Sequence, residues 1–195
     1  MGLPPFIEGT LGTLLSSQKG RDAKLFTSTP PFSSIPATIP ITSPDCGVSG
    51  SAMGAEYSQL GSERFPLLKW PANPEVKEWL IIVEDPDAPL PSPIVHGLYV
   101  GLEGSVTEFG GESVKPNGEM KGKGWRVGRN RKGTVYIGPR PVLGHGVHRY
   151  MFDVVGLKEK LELSEYPTKE ECGKAVEGKI VGWGRWMGTF ERKWE

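Results

Sequence analysis

Two carboxylates and one imidazole lie close together in the stretch VEDPDAPLPSPIVHGLYV, residues 83–100. Asp85 and Asp87 directly follow an apolar run, and His96 lies at the start of the next one. Such groups serve as a catalytic pair, as metal ligands or as a binding pocket. Pro86 bends the chain between the carboxylates, so one is expected to face a pocket while the other holds the turn through backbone N–H bonds. A turn without any site is the alternative that these residues leave open.

The other two histidines of the chain are His145 and His148. In HRYMFDVVGL the alternation of a strand places His148, Tyr150 and Phe152 on one face. A lone histidine in an apolar strand, such as His96, is more often a satisfied core residue than a ligand. If the strands of His96 and His148 are neighbours, however, two imidazoles, a tyrosine hydroxyl and one or two carboxylates converge into a small polar site.

The segment YIGPRPVLGHG, residues 136–146, is expected to form a rigid loop. Pro139 and Pro141 fix φ and remove two N–H donors, so the remaining amides, including that of Gly138, are predicted to be free to point at a ligand. A stiff turn without a ligand is the alternative. The loop lies within residues 120–152, where eight side chains are Lys or Arg and none is Asp or Glu. This one-sided charge favours anions.

Anion binding is the chemistry that these residues fit best. Nucleophilic catalysis needs a Ser, Cys or Thr beside a base, yet the chain has no G-x-S-x-G element and both cysteines lie away from these motifs. A metal site is not favoured, since no H-x-H, H-x-x-x-H or H-E-x-x-H element presets its geometry. Hydrolysis by Asp85 and His96, with water as the nucleophile, stays a less favoured alternative.

Composition indicates one globular domain over residues 1–195, because 195 residues of which 37% are hydrophobic can bury a sizeable core. The 23 basic and 23 acidic side chains balance, so net charge gives no argument for a nucleic acid or an anionic membrane as partner. Cys46 and Cys172 are expected to be free thiols. No apolar run reaches the roughly 18 residues of a membrane span and none resembles a signal peptide, so we expect a cytoplasmic protein without stable membrane insertion.

The elements that must position the candidate residues are mainly strands. Apolar or alternating runs predict strands at 78–84, 94–102, 134–138, 148–157 and 187–194. The Gly-rich stretch 118–133 is expected to be a long loop, and 28–61 an extended arm followed by a loop.

Helices are expected only near the two ends of the chain. Thr168 and Glu171 form a capping box that predicts a helix over 168–181. Near the N-terminus, Thr10 is a possible N-cap, and Leu11, Leu14 and Leu15 recur at helical spacing. These residues predict a short amphipathic helix, which is expected to pack on the outside of the sheet. The predicted class is therefore mainly β, not a doubly wound α/β fold.

Two sequence motifs occur in a characteristic order along the chain. The first is Asp85-Pro86-Asp87-Ala88-Pro89 with His96 downstream, and the second is Gly138-Pro139-Arg140-Pro141 followed by His148-Arg149-Tyr150. Together they resemble the phosphatidylethanolamine-binding protein (PEBP) family, which includes Raf kinase inhibitor proteins, plant flowering regulators and carboxypeptidase Y inhibitor. FPLLKW (65–70), GTFER and GRNRKG (128–133) are similar to further family elements, the last to one of bacterial-type members. The resemblance covers residues 60–192, preceded by a helix, arm and variable loop over 1–60.

The resemblance implies a central antiparallel β-sheet with a second smaller sheet, peripheral helices near the termini, and an anion pocket at one end of the central sheet. Carried over to this sequence, the residues that line or support the pocket are Asp85, Asp87, Pro89, His96, Gly138, Pro139, His148 and Tyr150. The implied function is non-enzymatic binding of a phosphate-like anion or a phosphorylated lipid head group, without cofactor or metal. His96, His148 and the Gly138 amide are the expected donors, and affinity is expected to rise as pH falls through about 6.5.

The resemblance also implies that the protein modulates a protein partner, such as a protease or a kinase. The alternative is a carboxypeptidase-type protease inhibitor or a kinase regulator that acts through surface loops and has a vestigial pocket. Gly97 stands where the family usually has an aromatic residue, which predicts a more open wall near the pocket. The family's Cys-Asp-Gly segment is not recognisable at 44–47, which predicts a rebuilt loop at 42–62.

Overall fold

The computed structural model describes residues 3–115, 121–122 and 124–194. Its main element is a six-stranded antiparallel sheet in the order β5-β6-β3-β2-β7-β8, and β1 pairs with β4 in a second, two-stranded sheet. The mainly β prediction with two antiparallel sheets is confirmed. The strands are β1 Phe65–Lys69, β2 Glu78–Asp85, β3 Ile94–Glu103, β4 Glu108–Gly111, β5 Lys121–Gly122, β6 Trp125–Val127, β7 His148–Leu157 and β8 Ile180–Phe190.

The central strand β2 is buried at every position, which explains its continuous apolar run. Trp79, Ile81 and Val83 face one core, which the small sheet covers with Phe65. The alternate residues of β2 face a second core that is covered by the N-terminal arm and by the C-terminal helix. Both faces of the main sheet are therefore closed, and its polar site residues can reach solvent only at an edge.

The N-terminal helix α1, Pro5–Leu15, is present but does not bury its leucines. Thr10 lies inside the helix rather than at its N-cap, and Leu14 is 71% exposed. The buried face contains Gly9 and Gly12 instead. A Cβ at Gly9 would lie 2.4 Å from the Trp194 ring, and one at Gly12 would lie 1.9 Å from the Leu143 carbonyl. The leucine spacing did not identify the docked face, because close backbone approach, not apolar spacing, decides which face docks.

The C-terminal helix α2, Lys169–Ala175, has the predicted capping box between Thr168 and Glu171. It ends six residues before the predicted boundary of 181. Gly178 turns the chain with a φ of 71°, and from Ile180 onward the backbone pairs with β7. Strand pairing therefore overrides the apolar periodicity that suggested a longer helix.

Two other strand predictions differ from the structure. Residues 134–138 form no strand, because their only ladder-like bond joins the Ile137 N–H to the His96 carbonyl. The last strand, β8, begins earlier than the predicted 187–194. Part of the predicted loop 118–133 lies outside the described residues, and the remainder contains β6.

The arm between α1 and β1 contains short 3₁₀ turns and single β-bridges rather than a strand. Ala37 bridges to Trp183 and Ala52 to Thr189, so the arm follows β8. These contacts support our proposal that the arm and the sheet form one domain. The 3₁₀ turns are Asp22–Lys24, Phe26–Ser28, Pro30–Phe32 and Ala55–Tyr57.

Both cysteines are free, as predicted, with Cys172 buried and Cys46 half-buried. No helix within the described ranges is long and apolar enough to cross a bilayer.

Candidate functional site

A cavity of about 480 Å³ opens at one edge of the main sheet. Asp85 ends β2, whereas His96 and His148 lie at the starts of β3 and β7. Because β2 is antiparallel to both neighbours, these three positions meet at the same edge. We call this space the His96 cavity. Five predicted site residues line it: Asp85, Pro89, His96, His148 and Tyr150.

His96 is fixed at one ring nitrogen and unpartnered at the other. Its Nδ1 lies 2.6 Å from the Ile137 carbonyl oxygen, while its buried Nε2 has no hydrogen-bond partner among the described residues. A carbonyl can only accept, so Nδ1 carries a hydrogen and Nε2 of the neutral ring is an acceptor. Burial lowers the pKa of His96 below its ordinary value of 6.5, and the nearby Asp85 carboxylate opposes this. Protonation therefore converts Nε2 into a donor inside the cavity.

Tyr150 provides a second unpartnered polar atom in the same cavity. Its ring packs edge-on against His96 with centroids 5.1 Å apart, and its buried hydroxyl has no partner in the part of the chain described. Burial raises the pKa of Tyr150 well above its ordinary value of 10. The phenol therefore keeps its proton and is a donor available to a ligand.

Both carboxylate oxygens of Asp85 already form hydrogen bonds within the protein. Its Oδ1 accepts from the N–H groups of Asp87 at 2.8 Å and Ala88 at 3.1 Å, which closes the turn after β2. Its Oδ2 lies 2.8 Å from Nδ1 of His148. The carboxylate thus meets three hydrogen-bonding atoms and holds the strand end and an imidazole in place.

A chain of hydrogen bonds continues from Asp85 to the end of α1. Nε2 of His148 lies 2.7 Å from Nδ1 of His145, and Nε2 of His145 lies 2.7 Å from the Leu15 carbonyl oxygen. The carbonyl accepts only, so Nε2 of His145 carries a hydrogen. Each of the three bonds holds one hydrogen when Asp85, His148 and His145 together carry three exchangeable hydrogens. With that number of hydrogens, the three side chains have a net charge of zero. Burial, followed by the neighbouring His148, lowers the pKa of His145.

This chain changes the expected role of His148. Both of its ring nitrogens already have partners within the protein. A hydrogen bond from His148 to a ligand would break one of these contacts, so the donors available without rearrangement are His96, once protonated, and Tyr150. His145, which the sequence analysis did not select as a site residue, completes the chain. Its only sequence signal was its nearness to His148.

Asp87 does not line the cavity. Its carboxylate accepts from the backbone and side chain of Arg149 and from the Gly20 N–H. Burial opposes ionisation, but the bonds from Arg149 outweigh it and lower the pKa of Asp87. Arg149 also donates to both carboxylate oxygens of Asp22. Asp87 therefore braces the chain against Arg149, but it does not hold the turn after β2. The predicted division of roles is wrong, because Asp85 both lines the cavity and closes that turn.

Gly138 and Pro139 support the cavity from behind rather than lining it. The Gly138 N–H donates to Glu63 at 2.9 Å, and the Pro139 carbonyl accepts from the Gln59 N–H at 3.0 Å. The prediction of a free Gly138 amide is wrong, because a carboxylate from the loop before β1 occupies it. These bonds hold the segment whose Ile137 carbonyl orients His96.

Three cations lie at the rim of the cavity: Arg131, Lys132 and Arg140. The side chain of Asn130 shapes the loop that carries the first two, since its Oδ1 accepts from the N–H groups of Lys132 and Gly133. These cations belong to the acid-free segment of the sequence but were not among the predicted site residues. The one-sided charge was the signal that could have found them.

No group of three or more His, Cys, Asp or Glu side chains within the described residues is arranged to hold a metal ion. The site offers an imidazole, a phenol and cations, which are the groups that bind oxyanions.

Residues 43–191 match the sequence profile of the phosphatidylethanolamine-binding protein family. This chain belongs to the PEBP family. Phomoidride biosynthesis cluster protein B of Fungal sp. (strain ATCC 74256) is 46% identical over 199 residues, which cover 97% of this chain and 96% of that protein. A UPF0098 protein of Pyrococcus horikoshii is 37% identical over 142 residues, covering 71% of this chain and 70% of that protein.

Among solved structures, a PEBP homolog from Chlamydia trachomatis superposes with a TM-score of 0.68 at 27% identity, covering 80% of this chain and 99% of that one. The resemblance drawn from the two sequence motifs is thereby confirmed at the level of family and fold.

One departure from the PEBP pattern has a structural explanation. Gly97 follows His96 where an aromatic residue was expected, but the space beside it is not open. A Cβ at Gly97 would lie 2.7 Å from the hydroxyl of Tyr99. The ring of Tyr99 occupies that wall, and its hydroxyl donates to the Val135 carbonyl. The prediction of a more open wall is wrong because an aromatic side chain two residues later fills the place.

Proposed function

We propose that this PEBP family member binds a small oxyanion, a phosphate or a carboxylate, in the His96 cavity and does not transform it. The observation that carries the proposal is the pair of buried, unpartnered polar atoms, His96 Nε2 and Tyr150 Oη, in one cavity. A buried polar group without a partner costs roughly 1–3 kcal/mol, so such groups indicate a missing ligand or water.

The charges around the cavity favour an anion over a cation as the ligand. Asp85 is the only carboxylate among the lining residues described, and its oxygens are already engaged. Three cationic side chains lie at the rim, and among the described residues Arg140 is held only by a long contact of 3.9 Å to Glu8. An entering anion therefore meets positive charge first and two hydrogen-bonding groups at depth.

Proton uptake accompanies anion binding in this proposal. Neutral His96 presents a lone pair at Nε2, which repels a fully ionised oxygen, whereas the protonated ring donates to it. Because burial holds the pKa of free His96 below 6.5, anion affinity rises as pH falls below that value and the ligand raises the pKa again. The midpoint therefore lies lower than an unperturbed histidine suggests.

A small-molecule ligand is also consistent with the relatives, one of which is named for a biosynthesis cluster. Modulation of a protease or kinase partner, protease inhibition through surface loops and a cytoplasmic location stay predictions. A hydrolase remains the least favoured alternative, because the described cavity has no unengaged carboxylate to serve as a base beside His96.

The test is the change Tyr150→Phe, which removes an unpartnered hydroxyl and leaves the packing intact. Phosphate affinity is measured by calorimetry or NMR titration at a pH below 6.5. A hydrogen bond to a charged group contributes roughly 1.5–3 kcal/mol, so phosphate affinity is expected to fall by about 10- to 150-fold. The free energy of unfolding is expected to stay the same or rise.

Tyr136→Phe is the matched control. Tyr136 also has a buried hydroxyl without a partner among the described residues, but it does not line the His96 cavity. This variant is expected to bind phosphate as the parent does. Equal affinity in Tyr150→Phe and the parent would contradict the proposal.

A further inference from the structure

A second and larger cavity of about 900 Å³ adjoins the His96 cavity on the outer side of the main sheet. The N-terminal arm, the connection from β2 to β3, and helix α2 form its walls. We call it the arm groove and define it by Phe26, Pro30, Leu90, Ile94 and Gly173. Its volume lies in the range that holds one drug-sized organic molecule.

The surface of the arm groove is largely apolar. Pro30, Ile94 and Leu90 contribute aliphatic carbon, and Leu90 leaves 37% of its surface exposed, whereas the Phe26 ring is buried in the wall. Two of the five basic side chains that line the groove are engaged: Lys24 donates to the Pro91 carbonyl and Lys169 pairs with Glu84. The groove therefore fits the uncharged body of a ligand.

The two cavities share part of their lining. Leu90, Ile94 and Arg131 line both of them. Arg131 makes no hydrogen bond or ion pair with any residue that the structure describes, and it stands where the polar cavity meets the apolar groove. A positive charge at this junction complements an anionic head whose apolar body extends into the groove.

We propose that the His96 cavity and the arm groove form one extended site for a monomeric amphipathic organic anion. Its oxyanion is bound near His96 and Tyr150, and its apolar body covers Leu90 and Pro30. This inference rests on the proposed function and adds the ligand class to it. Burial of the body contributes through the hydrophobic effect, so affinity depends on the length of the apolar part.

Gly173 keeps the groove open. A Cβ at this position in α2 would meet only Phe26, at 3.8 Å, which is an ordinary contact. A methyl group is therefore tolerated there, whereas a larger side chain fills the groove without a backbone clash. Gly173→Leu and Gly173→Ala form a matched blocking variant and control.

The experiment measures, by calorimetry, the affinities of inorganic phosphate and of butyl, hexyl and octyl phosphate below their micelle-forming concentrations. Each methylene that enters the groove is expected to tighten binding by about fourfold, from about 0.8 kcal/mol per buried methylene. The increment is expected in the parent and in Gly173→Ala, and its loss is expected in Gly173→Leu. Inorganic phosphate is expected to bind all three proteins equally.

The remaining outcomes separate the two proposals. Phosphate binding without any dependence on chain length would overturn the extended site and leave the proposed function standing. No binding of phosphate or of any alkyl phosphate would overturn both. Octyl phosphate that binds Tyr150→Phe as tightly as the parent would show that the groove acts without the anion site, and would overturn the shared site.

Discussion

Replacing Asp85 by alanine removes the acceptor for three buried groups. Asp85 is 2% exposed and meets the N–H groups of Asp87 and Ala88 and Nδ1 of His148. Each buried donor that loses its acceptor costs about 1–3 kcal/mol. Water from the adjoining cavity can satisfy part of this loss, so we expect Asp85→Ala to lower the free energy of unfolding by about 3–5 kcal/mol.

Asparagine at the same position keeps every hydrogen bond. Its oxygen accepts from the two amides, and its NH₂ group donates to Nδ1 of His148. His148 then donates from Nε2 to His145, which donates to the Leu15 carbonyl, so the chain is satisfied without a charge. Only the extra strength of charge-assisted bonds is lost, and we expect Asp85→Asn to cost about 1–2 kcal/mol.

Equilibrium unfolding in urea at pH 7.5 measures both values, with m-values compared to confirm that the unfolded states match. Long-range ¹H–¹⁵N spectra of the imidazoles report which nitrogen carries hydrogen, and Nε2–H is expected for His148 in Asp85→Asn. Equal destabilisation by asparagine and alanine would refute the reasoning, because it would show that the charge of Asp85, and not the number of its bonds, holds the site.

Two further predictions concern stability. Burial holds the pKa of His96 in the folded protein below 6.5, so between the folded pKa and 6.5 the unfolded chain binds a proton that the folded chain does not. The free energy of unfolding therefore keeps its full value above pH 6.5. It falls as the pH drops toward the folded pKa, by up to about 1.4 kcal/mol per pH unit. His96→Gln is expected to reduce this slope in urea unfolding, and an unchanged slope would contradict it. Gly12→Ala is expected to destabilise the protein by about 1–3 kcal/mol in thermal unfolding, since its Cβ would meet the Leu143 carbonyl. Gly173→Ala is the control, because Gly173 is an open helical position where alanine is expected to stabilise the protein by up to about 1 kcal/mol. If Gly12→Ala and Gly173→Ala both stabilised the protein, the docking of α1 through its glycines would be refuted.

Local patterns in the sequence were sufficient for the central strands and for the start of α2. The continuous apolar run at 78–84 and the alternation of side chains after His148 can be read from neighbouring residues, and the bond between Thr168 and Glu171 also depends only on neighbours in the chain. The same alternation brought His148 and Tyr150 to one face. The segment without Asp or Glu, residues 120–152, indicated an anionic ligand, because charged residues can be counted from the sequence alone.

The structure alone decided which polar atoms remain available for a ligand. The Gly138 N–H donates to Glu63, and Nε2 of His148 is hydrogen-bonded to His145. No rule of sequence spacing specifies either of these hydrogen bonds. The docking of α1 through Gly12 likewise depends on the position of a distant carbonyl. Side-chain types and periodicity therefore predicted the mainly β class and led to the proposal of anion binding, and two sequence motifs indicated the family. Long-range contacts determined which hydrogen-bonding groups of the site remain unpartnered, because a donor or acceptor is available only when no other part of the chain has already bound it.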